Sequence, residues 1–369
     1  MKVVVTGANG FVGKNLCLAL SKIDGIEIFR FDLDNTKAEL EAWLNDCDFL
    51  FHLAGVNRPT DESEFTTGNT VFTEDVLGIL EKRPVPVLLS SSIQASLENP
   101  YGESKLAAEN AVRAYGEKTG AKVFVFRLAN VFGKWCRPNY NSAVATWCHN
   151  RAHNLDIMVR DRSAEVNLVY IDDVVDAFIK CMNCEKEPIL PFMSVEPCYK
   201  KTLGEIVDLI EDFRNEPQTL EVPDQRDGFS KKLYSTFLSY LPENEFSYPL
   251  TMHCDNRGSF TEVLHTLERG QVSINISKPN ITKGQHWHHT KHEKFLVVSG
   301  TGVIRFRKMD DSSAKVISYN VSGEKLEVVR IPPGYTHNIE NTGSSDMVTL
   351  MWANEVFDPS KPDTFREDV

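Results

Sequence analysis

The sequence predicts an α/β domain built on a doubly wound parallel sheet, followed by an all-β domain. Two observations predict the first domain: a glycine-rich turn directly after the first apolar segment, and strand-like apolar segments that alternate with helix-like ones. A change of texture from residue 248 predicts the second, because short strand-like segments then follow one another without helical periodicity. We therefore expect domains at residues 1–245 and 246–369.

Composition agrees with a two-domain protein that does not bind nucleic acid. The 369 residues are 41% hydrophobic and 25% charged, and the net charge of −12 disfavours a nucleic-acid or anionic-membrane surface. The start is not a signal peptide and no apolar stretch is long enough to cross a bilayer, so we expect no membrane insertion. Eight scattered cysteines, with Cys181 and Cys184 as a close pair at a helix end, fit a reduced, cytoplasmic compartment.

The first strand and the turn after it predict a dinucleotide site. Lys2–Thr6 is a short apolar run that enters TGANGFVG, in which Gly7, Gly10 and Gly13 have the spacing G-x-x-G-x-x-G. Residues 14–21 are predicted to form the helix that follows. Glycines at this place let the backbone approach a pyrophosphate at the helix N-terminus, as in Rossmann-like folds. We therefore favour a cofactor site over a glycine turn without a ligand.

The second predicted strand, residues 26–31, leaves the choice of cofactor open. It ends at Asp32, and an acid at this place binds the ribose hydroxyls and favours NADH. Arg30 lies two residues earlier, where a guanidinium would meet the 2′-phosphate of NADPH. The sequence therefore predicts a nicotinamide dinucleotide without choosing between the two.

Two further apolar segments end in loops suited to ligand binding. Residues 49–53 run into AGVNRP, and residues 85–89 run into Ser90, Ser91 and Ser92. Ligands bind parallel sheets at the carboxyl ends of the strands. We therefore expect both loops at one active-site edge.

The segment NPYGESK, residues 99–105, supplies an acid–base pair. Tyr101 and Lys105 are four residues apart, so in a helix the phenol and the ammonium lie on the same face. A tyrosine has an unperturbed pKa of about 10, and a nearby ammonium favours the phenolate and lowers this pKa. Such a phenol can give a proton to an alkoxide near working pH.

These segments together carry a family resemblance. TGANGFVG, HLAGVN, LLSSS and YGESK, in this order, resemble the extended short-chain dehydrogenases/reductases. The resemblance implies that Tyr101 is the acid/base, and that Lys105 binds the nicotinamide ribose and lowers the tyrosine pKa. It also implies a hydroxyl at the substrate oxygen, for which Ser92 is the first choice and Ser91 the second. Ile-Gln-Ala stands where the family's sugar dehydratases carry an Asp-Glu pair, so dehydration is disfavoured.

The resemblance also implies where cofactor and substrate bind. The expected cofactor contacts are Thr6, Gly7, Asn9, Gly10, Phe11, Val12, Gly13, Arg30, Asp32, Leu53, Ala54, Gly55, Tyr101 and Lys105. FRLANVFG and LVYIDDVVDA are similar to the family's nucleotide-sugar segments. The expected substrate contacts are Asn57, Asn130, Lys134 and Arg137. For residues 134–142, a diphosphate site and an ordinary solvated loop have equal weight.

The second domain contains a candidate metal centre. In HWHHTKHEKF, His286 and His288 are two apart and share one face of a strand, Glu293 follows, and His337 lies in PPGYTHNIEN. Imidazoles with one carboxylate suit zinc or a similar divalent ion. The two patterns resemble both motifs of the cupins, which are jelly-roll barrels, although the glycines that usually precede each motif are missing. We favour a metal site over strand histidines without a ligand.

The same domain resembles the nucleotide-sugar epimerases of the cupin class, through DNRGSFTEV and ITKGQHWHH. In that class the histidine that matches His286 is a catalytic base, so His286 has two competing roles, ligand and base. His289, Lys294 and Tyr335 are the candidate partners in proton transfer, and the sequence does not choose among them.

Both domains fit one substrate. Protons next to a ketone are acidic, so a keto-sugar can be epimerised before its ketone is reduced but not afterwards. Over its whole length the chain resembles the CapF-type enzymes of capsular polysaccharide synthesis. This implies that a UDP-linked 2-acetamido-2,6-dideoxy-4-keto-hexose is epimerised at C3 by the cupin and reduced at C4 with NADPH. The implied product is UDP-N-acetyl-6-deoxy-L-talosamine, on the route to N-acetyl-L-fucosamine.

Two other functions are compatible with these motifs. The first is a keto-sugar reductase whose cupin only dimerises and stabilises. The second is a regulator that binds dinucleotide and metal without turnover, which we disfavour because a sensor needs no activated phenol. In each case we expect a homodimer, because the sheet edges of the second domain need covering.

Overall fold

The computed structural model describes residues 1–184, 192–309 and 313–369. It contains two compact units, Met1–Glu211 with Arg226–Pro242 and Asp212–Gln225 with Glu243–Val369. Residues 212–225, which the predicted boundary left in the first domain, pack in the second unit. Among the described residues, no helix is both long enough and apolar enough to span a bilayer.

The first unit is built on a five-stranded sheet with the order β2-β1-β3-β4-β5. Its strands are β1 (Lys2–Thr6), β2 (Glu27–Phe31), β3 (Phe49–His52), β4 (Val87–Ser92) and β5 (Val123–Leu128). All neighbouring pairs are parallel, because helical connections return the chain to the same edge after each strand. The predicted doubly wound, Rossmann-like sheet is confirmed.

Helices cover both faces of this sheet. Val3 and Val5 belong to one buried cluster and Val4 to another, because side chains alternate across a strand. The helices are α1 (Phe11–Leu20), α2 (Lys37–Asp46), α3 (Ser63–Phe65), α4 (Phe72–Leu80), α5 (Pro100–Thr119), α6 (Ala143–Ala152), α7 (Ile171–Met182), α8 (Leu203–Thr219) and α9 (Gly228–Leu238). A π-helical segment (Thr66–Val71) joins α3 to α4, and 3-10 turns cover Ile93–Ser96 and Glu243–Glu245. A small separate sheet contains β6 (Asn130–Phe132), β7 (Glu165–Tyr170) and β8 (Tyr199–Thr202).

Two local features of the first unit differ from the prediction. The fourth strand was expected to end before the serines, but β4 continues through Ser92, because the serines keep pairing with β5. Helix α9 lies in a stretch that was interpreted as the end of the domain and its connection. Its Phe229, Leu233 and Phe237 are buried at helical spacing, which anchors this helix in the first unit.

From His253 onward the second unit is all-β, with two antiparallel sheets around one core. Its strands are β9 (His253–Asp255), β10 (Gly258–Thr266), β11 (Gly270–Ser277), β12 (Thr282–Trp287), β13 (Glu293–Ser299), β14 (Thr301–Lys308), β15 (Ile317–Ser322), β16 (Val328–Ile331), β17 (Tyr335–Asn341), β18 (Met347–Ala353) and β19 (Phe365–Arg366). The sheet orders are β16-β13-β18-β11-β10-β9 and β15-β14-β17-β12-β19. Phe295 and Val297 of one sheet share a buried cluster with Ile304 and Ile339 of the other. The predicted all-β domain is confirmed.

Candidate functional sites

The glycine turn after β1 is packed so tightly that it excludes side chains. Gly7 has a φ of +69°, and a Cβ there would lie 2.8 Å from the amide nitrogen of Ala54. A Cβ at Gly13 would lie 2.1 Å from the carbonyl oxygen of Gly7. Gly10 is the N-cap of α1. Bare backbone and a helix N-terminus therefore meet at the carboxyl edge of the sheet, the arrangement that a dinucleotide pyrophosphate requires.

Asp32, expected at the cofactor ribose, also holds the glycine turn in shape. Its carboxylate accepts hydrogen bonds from the backbone amides of Asn9 at 2.7 Å and Leu33 at 2.9 Å. Arg30 is exposed near the end of β2. The acid and the base that favour different cofactors thus both remain at this edge.

Thr6, also expected at the cofactor, is a buried support. Its hydroxyl lies 2.8 Å from Nδ1 of His52 and accepts a hydrogen bond from the amide of Ala54 at 3.3 Å. Nε2 of His52 lies 2.8 Å from the hydroxyl of Thr73. Burial, with the charge of Lys105, lowers the pKa of His52 to about 3, so the imidazole is neutral. Thr6 therefore supports the cofactor loop from inside the fold, and no sequence pattern indicated His52 as its partner on β3.

Tyr101, Lys105 and Ser92 meet where β4 ends. Asn99 caps helix α5, whose first turn carries Tyr101. The Ser92 hydroxyl lies close enough to the Tyr101 phenol to lower its pKa. The ammonium of Lys105 donates a 3.3 Å hydrogen bond to the carbonyl of Ser90 and lies 5.9 Å from the centre of the Tyr101 ring. Hydroxyl, phenol and ammonium are thus brought together as the sequence predicted.

The pKa values at this site differ from the prediction in one respect. Burial raises the pKa of Tyr101, and the nearby Ser92 hydroxyl offsets that rise only in part. Burial lowers the pKa of Lys105 to about 8. The prediction that Lys105 lowers the tyrosine pKa was wrong, because desolvation of the phenolate is the larger effect.

The two candidate serines have different partners. Ser91 donates a 2.6 Å hydrogen bond to the buried carboxylate of Glu109, whereas the Ser92 hydroxyl lies near the Tyr101 phenol and lowers its pKa. Neighbouring residues of a strand face opposite sides, so the two hydroxyls cannot share one substrate atom. The geometry therefore favours Ser92 and assigns Ser91 to the framework. Glu109 was missed, although its spacing of four from Lys105 places it on the same helix face.

Asn69, on the π-helical segment, is a second support that the sequence did not predict. Its side-chain oxygen accepts a hydrogen bond from the amide of Val56 at 2.8 Å, and its nitrogen donates to the carbonyl of Val56 at 3.1 Å and to Ser104 at 3.0 Å. A Cβ at Gly55 would lie 2.8 Å from Nζ of Lys105. Asn69 therefore holds the loop after β3 against the lysine, and Gly55 leaves room for the ammonium.

The expected substrate contacts have different surroundings. Asn57 is exposed, and Asn130 donates a 3.1 Å hydrogen bond to the carbonyl of Asn167. Lys134 forms an ion pair with Asp172. These side chains lie on loops or on the short strand β6, where no buried partner among the described residues fixes their role.

Arg137 shares an aromatic ring with a residue that was not predicted. The guanidinium carbons of Arg137 and Arg58 lie 5.2 and 6.0 Å from the centre of the Tyr140 ring. Two guanidinium groups beside one ring form a cationic surface suited to a diphosphate. This contact links the loop after β3 to the loop after β6.

Four side chains converge in the second unit. His286 lies on β12, His288 directly after it, Glu293 at the start of β13 and His337 on β17. Their candidate ligand atoms all lie within 4.8 Å of one another. Nε2 of His288 and of His337 lie 3.4 and 3.5 Å from the same oxygen of Glu293. The structure therefore brings together all the predicted ligands.

The chemistry of this cluster fits a divalent metal ion. Nε2 of His288, both ring nitrogens of His337 and one oxygen of Glu293 are buried without a hydrogen-bond partner among the described residues. Burial, and the neighbouring imidazoles, lower the pKa of His286 to about 4. Burial alone would raise the pKa of Glu293, but contacts with His288 and His337 and the charge of Lys291 hold it below its usual range. Unprotonated donors without partners are what zinc needs.

A β-bulge directs His286 toward the other ligands. Lys283 pairs with Ile339 and His286 with His337, so Gln285 is one residue extra. In a regular strand without this bulge, the alternation of side chains would place Gln285 opposite His337. Gln285 has a φ of 63°, which is rare for a residue with a side chain. The sequence spacing identified the right histidines, but no sequence pattern indicated the bulge that directs the side chain of His286 inward.

Asp363, near the end of the chain, holds the loop between the ligands. The backbone carbonyl of Asp363 accepts a hydrogen bond from Nδ1 of His288, which leaves Nε2 for a metal. Its carboxylate accepts hydrogen bonds from the amides of His289, Thr290 and Lys291 at 2.9, 2.7 and 2.8 Å. Burial alone would raise the pKa of Asp363, but these hydrogen bonds hold it well below its usual range. The sequence analysis missed this residue, which lies far from the motif it supports.

His289, a candidate in proton transfer, lies outside the ligand cluster. It is exposed, and its ring centre lies 4.6 Å from that of Trp287 and 4.9 Å from that of Phe365. His289 follows His288 directly in the chain, and its ring packs in the outer aromatic group formed with Phe365. Its acid–base role loses support.

Lys294 and Tyr335, the other two candidates, differ in whether they lie on the same strand face as a predicted ligand. Lys294 is exposed over the ring of Trp352, at 4.8 Å, and alternation places it opposite to Glu293. Tyr335 lies two residues before His337, on the same face, and packs on the core of the unit. Of the three candidates, Tyr335 is the one that shares a face with a ligand.

Two family models match consecutive parts of the chain. Residues 3–189 match the NAD dependent epimerase/dehydratase family. Residues 253–365 match the polysaccharide biosynthesis C-terminal domain.

Relatives and solved structures agree with these matches. The chain is 47% identical over 367 residues to the UDP-2-acetamido-2,6-beta-L-arabino-hexul-4-ose reductase of Pseudomonas aeruginosa, covering 99% of this chain and 98% of that protein. It is 52% identical to the capsular polysaccharide assembling protein CapF from Staphylococcus aureus, with a TM-score of 0.94 and full coverage of both chains. A UDP-glucuronic acid 4-epimerase from Bacillus cereus, 17% identical with a TM-score of 0.56, covers 65% of this chain and 98% of its own. That likeness shows the fold alone, over 65% of the chain, whereas the full-length matches confirm the CapF-type resemblance.

Proposed function

The chain belongs to the NAD dependent epimerase/dehydratase family, and from this premise we propose that it is a two-step nucleotide-sugar enzyme of capsular polysaccharide synthesis. The second unit epimerises a UDP-linked 2-acetamido-2,6-dideoxy-4-keto-hexose at C3. The first unit then reduces the C4 ketone, giving UDP-N-acetyl-6-deoxy-L-talosamine. The observation that carries the proposal is the meeting of Ser92, Tyr101 and Lys105 where β4 ends, in a chain 47% identical to a keto-sugar reductase.

The reductive step follows from the residues around Tyr101. A bound nicotinamide supplies the hydride that the ketone carbon accepts. Tyr101 donates its proton to the oxygen as alkoxide character develops, and its raised pKa keeps the phenol protonated until then. Ser92 hydrogen-bonds the same oxygen, and Lys105 holds positive charge beside the phenol. The glycine turn and Asp32 would hold the pyrophosphate and the adenosine ribose of the cofactor.

The epimerisation step is assigned to the second unit. His286, His288, Glu293 and His337 would hold zinc or a similar divalent ion, which polarises a ketone and makes the adjacent C–H acidic. His286 is neutral at working pH, since its pKa is about 4, so it suits either ligation or proton removal. Tyr335, on the face of His337, is the candidate for returning the proton.

The order of the two steps is set by chemistry. The hydrogen at C3 is acidic only while C4 is a ketone, so epimerisation precedes reduction. NADPH is the proposed cofactor, supported by exposed Arg30, and NADH is the alternative, supported by Asp32. A cytoplasmic location is proposed on the eight cysteines, all within the described residues and none of them in a disulfide.

A homodimer is proposed on a different feature from the predicted sheet edges. Ile274, Leu350, Leu296 and Val328 form one row across four neighbouring strands on the outer face of a sheet. Each is partly or fully exposed, with Val328 at 54%. Apolar rows of this kind mark interfaces, and a second copy of the chain would cover it. Sedimentation should give a dimer, and Leu350→Glu should give a monomer.

NMR of the keto-sugar in D₂O with the whole protein tests the two-step function. Without NADPH we expect deuterium to enter C3, and a chelator should stop this exchange. With NADPH, the ketone signal should disappear as the cofactor is oxidised. Reduction without any exchange at C3 would instead support the alternative, a reductase with a structural second unit.

A further inference from the structure

Strand β4 and helix α5 are joined at the reductive site by two contacts with defined partners. The Ser92 hydroxyl lies close enough to Tyr101 to lower the pKa of the phenol, and the Ser90 carbonyl accepts the 3.3 Å hydrogen bond from Lys105. The two helix residues lie one turn apart on one face. Both contacts involve groups that the proposed reaction uses.

A third contact of the same kind involves residues that the reaction does not use. Ser91, between the other two serines, donates a 2.6 Å hydrogen bond to Glu109, which lies one further turn along the same face of α5. Glu109 is fully buried. Arg127 on β5 bonds both its carboxylate oxygens, at 2.8 and 2.9 Å, and Arg113 adds a bond at 2.8 Å. A buried carboxylate with this many donors fixes the elements that supply them.

The same cluster reaches the turn that connects the strand to the helix. Arg127 donates a 3.0 Å hydrogen bond to Ser96, in the 3-10 turn Ile93–Ser96 that follows Ser92. Through Arg127, the Glu109 carboxylate is therefore linked to β4, to β5, to this turn and to its own helix. Sliding the helix along the strand would break the ion pair with Arg127 and leave Glu109 buried without its partner, which is costly.

We propose that Glu109 is a positioning residue for the reductase: its carboxylate fixes the register of α5 on β4, so that Ser92 and Tyr101 meet one substrate oxygen. The proposal rests on the proposed function, because it assigns a purpose to the meeting of these two hydroxyls. Ser91 is the contact through which the carboxylate acts on the strand.

Besides fixing the register of α5, the charge of Glu109 affects the pKa of Lys105. Burial lowers the pKa of Lys105, and Glu109 partly offsets this effect. The other groups that face Lys105 are Tyr101 on its own helix and His52 on β3, which is neutral. Without Glu109, the ammonium of Lys105 would lose its proton at lower pH. The alkaline limb of kcat/KM should then move to lower pH.

The test compares Ser91→Ala and Glu109→Gln with Glu117→Gln, an exposed site on the same helix that undergoes the same change of charge. Small displacements of reacting groups cost up to about 100-fold in rate. We expect Ser91→Ala to lower kcat for NADPH oxidation by about tenfold with KM for NADPH unchanged, and Glu109→Gln to lower it further and shift the pH profile. Glu117→Gln should match the natural protein.

A second readout does not need turnover. The nearby Ser92 hydroxyl lowers the pKa of Tyr101, so misalignment should raise this pKa, as read by NMR of isotope-labelled tyrosine in Ser91→Ala. If Glu109→Gln does not fold, Ser91→Ala decides the question. Folded Ser91→Ala with natural kcat and an unchanged Tyr101 pKa would overturn the proposal. A natural protein that does not oxidise NADPH with keto-sugar would instead defeat the proposed function, while the tyrosine titration still tests the register.

Discussion

The reductive site and the four-ligand cluster differ in how their buried polar groups are hydrogen-bonded. Around Tyr101, the Ser91 hydroxyl, the Lys105 ammonium and the Glu109 carboxylate all have hydrogen-bond partners within the first unit. In the second unit, His337 has two buried ring nitrogens without a partner among the described residues. Such orphaned atoms are rare in folded proteins and call for an explanation.

This difference shows what each unit can do by itself. The first unit holds its acid–base groups with its own hydrogen bonds, so its geometry is set by folding. The four side chains of the cluster in the second unit lie close together but do not satisfy one another, and a cation would complete their arrangement. Removal of single groups should therefore affect chemistry in the first unit, and metal content together with stability in the second.

The largest expected effect comes from Tyr101→Phe. General acid catalysis contributes about 10²–10⁴-fold, so kcat for NADPH oxidation should fall by about 1,000-fold. The ring still packs on Phe65, whose centre lies 5.6 Å away, so stability should stay the same. Exchange at C3, measured by NMR, should continue. Loss of both activities together would break the comparison between the two sites.

His337→Ala should abolish metal binding. The variant removes two of the orphaned nitrogens, and metal per chain, measured by elemental analysis, should fall to background. Saturating metal at a thousand times Kd stabilises a fold by about 4 kcal/mol, so thermal unfolding should occur earlier in the second unit alone. His253→Ala, at an exposed histidine of the same unit, serves as the control. Equal metal content in both variants would contradict the assignment.

Gln285→Val should weaken the metal site without touching a ligand. A β-branched residue at a φ of 63° costs about 1–3 kcal/mol, which corresponds to about 10- to 100-fold in metal affinity if the bulge shifts. Thr282→Val, at an exposed position of the same strand, should have no effect. Competition with a chromogenic chelator measures the affinities. Unchanged affinity in Gln285→Val would mean that the bulge does not orient His286.

The smallest effect is expected from Asp363→Asn, which keeps one acceptor for the loop amides. Outer contacts to metal ligands are worth about tenfold or more in metal affinity, so we expect a decrease near the lower end of this range. Because the pKa of Asp363 is lowered in the fold, its contribution is present above its unfolded pKa and is lost as pH falls through the folded value. Unfolding measured from pH 6 downward should show this loss in the natural protein and in Asp346→Asn, but not in Asp363→Asn. Identical slopes in all three would remove Asp363 from its supporting role.

Local sequence patterns predicted most of the fold and all four residues of the cluster in the second unit. The glycine spacing, the strand-like segments and the pairing of Tyr101 with Lys105 depend on neighbours in sequence, and the structure agrees with them. His286, His288, Glu293 and His337 were found because two short motifs carry them.

The features that were missed depend on contacts between distant segments. Asp363 acts on a loop more than seventy residues earlier, and Asn69 acts on the ammonium of Lys105 only through a loop of β3. The raised pKa of Tyr101 reflects burial, which spacing does not reveal. The bulge at Gln285 depends on a positive φ, which a glutamine rarely adopts.

The extra residue at position 285 bears on how such a centre can arise in evolution. Since side chains alternate along a strand, one inserted or deleted codon exchanges every inward position with its outward neighbour. A strand whose two histidines face solvent can become a ligand strand through a single in-frame insertion, with both histidine codons unchanged. Gain or loss of this centre among homologues is therefore a matter of alignment gaps as much as of substitutions.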